Sequence, residues 1–184
     1  MRLCVFCGSQ TGDDPRFAGA AVEMGKLLAA RGIGIVYGGG RVGLMGVLAD
    51  AARADGGEVI GVIPQSLADR EVAHSGLSEL HVVESMHDRK ALMGELSAGF
   101  IALPGGFGTL EEFCEVITWS QLGIHRKPCG LLNVAGYFDH LIGMFDYAVA
   151  HKFISAANRE IVLEARAPAE LVDRMVTLTE VGLR

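Results

Sequence analysis

The chain alternates short, continuous apolar runs with segments of helical periodicity, and this alternation constrains its fold more than any other feature. Leu3–Cys7 runs into Gly8-Ser9, Ile33–Tyr37 into Gly38-Gly39-Gly40, Glu58–Ile63 into Pro64, and Phe100–Leu103 into Pro104. Leu80–Val83, Cys129–Asn133 and Ile161–Leu163 are shorter runs of the same kind. Between them, apolar residues recur at helical spacing over Phe17–Arg31, Gly43–Asp55, Met86–Ala98, Thr109–Leu122, Tyr137–His151 and Pro168–Thr179, whereas residues 65–79 are polar and irregular. A strand that is apolar throughout must be covered on both faces. The pattern therefore predicts an α/β, Rossmann-like three-layer fold: a mostly parallel sheet of about seven strands with helices on both faces. No Pro/Gly/Ser linker and no internal repeat divides residues 1–184, so a single domain is expected.

Composition narrows the partners. The formal net charge is −6, which gives no support for a nucleic-acid or acidic-membrane partner. An anionic small molecule would have to be held by local groups against the overall sign. The apolar start Leu3–Cys7 is too short for a signal peptide, and no apolar run reaches the ~20 residues of a membrane helix, so a cytoplasmic location is expected. Cys4 and Cys7 form a C-x-x-C pair, but three residues apart on a strand they face opposite sides, which favours two buried thiols over a metal or redox site. The histidines show no metal-ligand spacing, and no metal is expected.

In such a sheet, ligands bind beyond the carboxyl ends of the strands, here the loops at 8–13, 38–43, 64–76, 84–88 and 104–108. Two of these are glycine-rich. Gly38-Gly39-Gly40-Arg41-Val42-Gly43 contains G-x-G-x-x-G between a strand and a helix, a pattern that lets backbone N–H groups approach a phosphate. A dinucleotide site would also place an acidic residue at the end of the next strand. Val62-Ile63-Pro64-Gln65 has none and Glu58 is at the wrong end, so half of the fingerprint is missing. The second loop, Pro104-Gly105-Gly106-Phe107-Gly108, leads into a helix that begins near Thr109 and offers a second anion-binding terminus; tight turning alone is the alternative for both loops.

Charged residues cluster around the second loop. Thr109-Leu110-Glu111-Glu112 fits a capping box, so Glu112 either closes the helix or, ionised beside the helix dipole, faces a ligand and stabilises positive charge or orients a water. Glu111 and Glu115 lie four apart on one helix, as a solvated face or as an acidic patch near the ligand. Arg89 shares a stripe with Met86, Met93 and Leu96, so its guanidinium needs a carboxylate or phosphate partner. Lys90, on the adjacent edge, can snorkel to solvent, and Asp88 and Glu95 read as solvated surface charges.

These segments together resemble one family. Met86-His87-Asp88-Arg89-Lys90-Ala91 followed by Ala102-Leu103-Pro104-Gly105-Gly106-Phe107-Gly108-Thr109-Leu110-Glu111-Glu112 is similar to the signature of the LOG family, the cytokinin riboside 5′-monophosphate phosphoribohydrolases, often mislabelled lysine decarboxylases. Phe6-Cys7-Gly8-Ser9, Tyr37-Gly38-Gly39-Gly40, Gly61-Val62-Ile63-Pro64 and Glu115-Val116-Ile117-Thr118-Trp119 extend the likeness over nearly the whole chain.

The resemblance implies a nucleotide-binding catalytic domain that hydrolyses the N-glycosidic bond of cytokinin riboside 5′-monophosphates and/or AMP, without a cofactor, as at least a dimer. It implies Arg89 and Glu112 as catalytic, and Lys90, Gly106, Phe107, Gly108, Thr109, Leu110, Glu111, Glu71 and Thr118 as substrate-binding, with Gly8, Ser9, Gly39 and Gly40 supporting the phosphate site. Asp69 stands where the resemblance leads one to expect proline before Arg70-Glu71. For the dimer, the apolar faces of the helices at 86–98 and 113–122 are the expected interface. Related proteins of this architecture resemble molybdenum-cofactor carriers, which makes a non-catalytic nucleotide or cofactor carrier the alternative. A pyridoxal-dependent decarboxylase lacks a convincing lysine.

Overall fold

A computed structural model of the chain describes residues 1–68 and 73–182. Within them, seven strands form one sheet: β1 (Arg2–Phe6), β2 (Gly34–Tyr37), β3 (Val59–Pro64), β4 (Glu79–Val83), β5 (Phe100–Ala102), β6 (Cys129–Leu132) and β7 (Val162–Ala165). Every pairing is parallel, and the order is β4-β3-β2-β1-β5-β6-β7. Chain direction across the sheet reverses between β1 and β5, which opens a crevice there beyond the strand ends.

Each strand sends alternate residues to two cores. Leu3, Val5 and Cys7 of the first segment, with Ile35, Tyr37 and Ile101, pack beneath α1 (Pro15–Ala30), α2 (Gly43–Ala54) and α8 (Pro168–Gly182) through Met24, Leu48 and Met175. Cys4, Phe6, Val36 and Phe100 pack on the other side against Met93 of α4 (Met86–Glu95) and Phe113 and Val116 of α5 (Phe107–Gln121). Cys4 and Cys7 thus lie on opposite faces, as the strand geometry predicts, and both are buried. No described helix is long and apolar enough to cross a membrane.

Four local expectations change. Residues 65–68, expected to be irregular, continue from β3 as a single helical turn, α3 (Gln65–Ala68). Asp88 is exposed but is not merely a solvated charge. Its carboxylate accepts from the Ser85 backbone N–H while Ser85 Oγ accepts from that of Asp88, and this capping box fixes where α4 starts.

The third change is at α5, which starts at Phe107 rather than Thr109, because Gly106 already takes the extended cap conformation (φ −86°, ψ −155°). Thr109 and Glu112 therefore lie inside the helix, and the capping-box reading of Glu112 fails. Last, the helix expected from Tyr137 begins at Asp139 as α6 (Asp139–Ala150), preceded by a 3-10 turn at Val134–Gly136 in which Ala135 has φ +55°.

Candidate active site

The crevice between β1 and β5 holds a cavity of about 160 Å³ lined by Gly8, Ser9, Gly38, Met45, Arg89, Gly106, Phe107, Gly108, Thr109 and Glu112, with the carboxyl end of β1 as its floor. Both loops that flank it are tied down. The Gly8 N–H donates to Pro104 O (3.0 Å), and the Tyr137 hydroxyl donates to Gly105 O (2.6 Å). A Cβ on Gly105 would overlap the Thr109 side chain, whereas Gly106 and Gly108 have open space where a Cβ would stand. No described side chain caps α5. Its first-turn N–H groups, which have no partner within the helix, therefore lie at the cavity wall with the positive end of the helix dipole.

The other glycine loop serves packing. At the start of α2, the Leu44 N–H donates to Gly8 O (3.0 Å), and Gly43, at φ +61°, sits so close to the Ser9-Gln10 backbone that a Cβ would overlap it. This helix terminus is thus filled by the first loop rather than held open for phosphate. Gly39 and Gly40, expected beside the phosphate, lie outside the described cavity lining: Gly39 O accepts from the His74 N–H (3.0 Å), and Gly40 bridges Ala73. The residue that matters here is Gly38, which periodicity alone did not single out. Its carbonyl accepts from Arg89, and a side chain on it would occupy the place of the Arg89 guanidinium.

Arg89 is buried and held on three sides. Nε donates to Val62 O (3.1 Å), Nη2 to Gly38 O (3.3 Å), and Nη1 lies 3.4 Å from Glu112 Oε1. The Arg89 and Glu112 side chains are only 7% and 9% exposed. The partner that an arginine on an apolar stripe requires is therefore a carboxylate of the next helix together with two strand-end carbonyls. Cys7 also lines the cavity, but burial, and then the nearby Glu112 charge, pushes its thiol well above the usual range, so it is protonated at neutral pH.

Lys90 does not snorkel to water. Its side chain is 10% exposed, with Nζ 2.6 Å from Glu111 Oε1 and 3.0 Å from Glu115 Oε2. Glu111 and Glu115, four apart on α5, thus share one cation, and none of the three lines the cavity.

Phe107, by contrast, stands at the rim with 93% of its surface exposed. Leu110 turns toward the core beneath α5. Thr118 lies two turns along α5 from Glu112, its hydroxyl donating to Cys114 O (2.7 Å), and it lines a separate groove with Phe145 and Arg159. Within one chain, therefore, Leu110 and Thr118 are not brought to the cavity. Glu71 lies outside the described residues.

Comparison with known proteins places this arrangement. A family model described as "Possible lysine decarboxylase" matches residues 45–175. A rice protein (Oryza sativa subsp. japonica) named cytokinin riboside 5'-monophosphate phosphoribohydrolase LOG is 51% identical over 185 residues, covering 99% of this chain and 76% of that protein. This chain belongs to the LOG family. Another similar LOG protein, LOG1 of Arabidopsis thaliana, is 51% identical over 174 residues, covering 95% of this chain and 82% of its own length. Solved structures similar to this LOG-family chain include the molybdenum cofactor binding protein of Rippkaea orientalis (TM-score 0.73, 21% identity) and the molybdenum cofactor carrier protein of Chlamydomonas reinhardtii (TM-score 0.72, 20% identity), each aligned over 96% of both chains. At that identity they show that the fold is shared.

The decarboxylase description would call for pyridoxal phosphate held by a lysine. Among the described residues lining the cavity none is a lysine, and Lys90 is committed to two glutamates. The donor set does not fit that cofactor.

Proposed function

We propose that the protein, acting through residues 1–184 as one catalytic domain, hydrolyses the N-glycosidic bond of cytokinin riboside 5′-monophosphates and/or AMP, releasing free base and ribose 5-phosphate. The observation that carries this is the convergence, in one cavity, of an uncapped helix N-terminus with a buried Arg89–Glu112 pair. The 51% identity to the rice and Arabidopsis enzymes supports the same chemistry.

In this reading the N–H groups at the start of α5, with Ser9 beside them, hold the 5′-phosphate. The base–ribose bond breaks with its electron pair going to the base, which takes up a proton. The Glu112 carboxylate stabilises the positive charge growing at the ribose and orients a water, whose oxygen bonds to the anomeric carbon while its proton is released. Arg89 already contacts Val62 O, Gly38 O and Glu112, a geometry that supports its fixing the Glu112 rotamer.

Incubation with AMP and with an N6-prenylated AMP, followed by chromatography, is expected to yield base and ribose 5-phosphate in equal amounts from at least one of them. Binding of both without release of base would overturn the reading in favour of a carrier.

We also infer a homodimer, with α6 as a second candidate interface beside the one expected. Met93 of α4 and Phe113 and Val116 of α5 are spent in this chain's own core, which leaves Met86 of α4 and Leu122 at the end of α5 exposed. Among the described residues none of α6 is buried, and Met144, Tyr147 and the following Phe153 are exposed. Exposed large apolar side chains along and just beyond one helix suit a second copy. Light scattering should give a dimer for the native chain and a monomer for Tyr147→Glu; a native monomer would remove the inference.

A further inference from the structure

The turn between β6 and α6 is built to present one side chain. Asn133, which follows β6, is buried and uses both ends of its amide: Nδ2 donates to Asp139 Oδ1 (2.7 Å), and Oδ1 accepts from the Phe138 N–H (2.8 Å). Between these anchors the chain takes left-handed conformations at Ala135 (φ +55°) and Gly136 (φ +76°), and a Cβ on Gly136 would overlap the Asp139 carboxylate. A left-handed alanine is uncommon and persists only where its surroundings over-determine it. The residue that follows this pair is Tyr137. Its ring packs edge-on against Phe17 (centroids 5.5 Å apart) and Phe138 (5.0 Å), and its hydroxyl donates to Gly105 O (2.6 Å).

Tyr137 does not line the active-site cavity. It lines a second cavity of about 240 Å³, with Phe17, Leu44, Pro104 and Gly105, while Gly8, Ser9 and Gly106 border both. The Gly105–Gly106 peptide therefore stands in the wall between the two cavities. Its carbonyl oxygen is turned to Tyr137, on the side of the second. In a planar trans peptide the C=O and the N–H point in opposite directions, so the Gly106 N–H is turned away from Tyr137, toward the active-site side. Among the described residues no backbone group accepts from it. The peptide itself does little to fix that direction, because it joins two glycines and rotates with little hindrance. The neighbouring backbone bonds, Gly8 N–H to Pro104 O and Leu110 N–H to Gly106 O, hold the peptides before and after it. The Tyr137 hydroxyl, 32 residues away in sequence, holds this one.

We propose that Tyr137 is a positioning residue for the 5′-phosphate. By holding Gly105 O it keeps the Gly106 N–H aimed at the active-site cavity, where that group adds one donor to those of the first turn of α5. Tyr137 acts through the backbone and does not touch substrate. The proposal rests on the phosphate sitting at the start of α5, as in the hydrolysis proposed above.

The test compares Tyr137→Phe with the wild-type chain in steady-state hydrolysis and in calorimetric titration with ribose 5-phosphate. Phenylalanine keeps the ring against Phe17 and Phe138 and removes only the hydroxyl. Loss of one neutral hydrogen bond sets the scale. KM for the nucleotide and Kd for ribose 5-phosphate should rise together by about three- to tenfold, with kcat within about threefold of wild type.

Unchanged KM, Kd and kcat, whatever the Tm, would make Tyr137 a fastener of the β6–α6 turn alone and overturn the proposal. So would a large fall in kcat with Kd for ribose 5-phosphate unchanged, since that is the mark of a group acting on the reacting bond. Absence of base release by the wild-type chain would instead refute the hydrolase reading, and the ribose 5-phosphate titration would still decide the role of Tyr137.

Discussion

Glu112→Gln is expected to lower kcat by about 10²–10⁴-fold, the range for loss of a positioned acid–base group, while the protein stays folded and nucleotide binding is largely kept. Gln has the shape of Glu and still offers a carbonyl to Arg89 Nη1, and the other two Arg89 bonds, to Val62 O and Gly38 O, remain. What is lost is the negative charge at the cavity wall. The elements proposed to hold the phosphate, the start of α5 and Ser9, are untouched, so the Kd for AMP measured by calorimetry should move by no more than a few-fold. Turnover of AMP or its prenylated analogue at the wild-type rate by this variant would sink the catalytic assignment outright.

Arg89→Met is expected to cost both stability and activity. Glu112 would be left as a buried carboxylate with its cation gone, and the Val62 and Gly38 carbonyls would lose their donor. Removing one partner of a buried ion pair typically destabilises by about 3–5 kcal/mol. For a chain of this length each kcal/mol lowers Tm by roughly 2–4 °C, so a fall of about 10 °C is expected in a calorimetric scan.

Two controls make that result interpretable. In the double variant Arg89→Met/Glu112→Gln the uncompensated charge is gone, so part of the lost stability should return, and the non-additivity measures the coupling between the two side chains. If Arg89→Met instead kept its Tm and raised KM tenfold with kcat intact, Arg89 would be a phosphate anchor, and the geometry that ties it to Glu112 would be incidental.

The strands were legible because each is a run of apolar residues ended by a stop that chemistry enforces. Pro64 is the last paired residue of β3, Pro104 follows β5 by two residues, and Gly8 and Gly38 let loops and side chains approach closely, so the strand ends read from the sequence lie within a residue or two of those in the structure. Helix starts were less legible. Thr109-Leu110-Glu111-Glu112 satisfies the spacing of a capping box, yet Gly106 has already turned the chain, and a spacing rule carries no information about which residue adopts the extended cap conformation. The G-x-G-x-x-G run is ambiguous for a related reason. Glycine marks close approach by something, and here the Ser9-Gln10 backbone approaches Gly43 and the Arg89 side chain approaches Gly38.

By itself the sequence determined the layered parallel fold, the side of the sheet on which a ligand must sit, and the family signature from Arg89 to Glu112. Hydrophobic periodicity and loop chemistry are local properties, and they survive any detail of packing. Only the tertiary structure decided what each charged residue touches. Arg89 is met by carbonyls 27 and 51 residues away in the chain, and Lys90 by two carboxylates of a different helix. Such contacts depend on placement to a few tenths of an ångström, whereas neighbouring residues on a helix differ by 1.5 Å in rise and 100° in direction. The same pattern of letters can therefore describe a solvated lysine or one locked between two glutamates, and the packing of α4 on α5 selects the second.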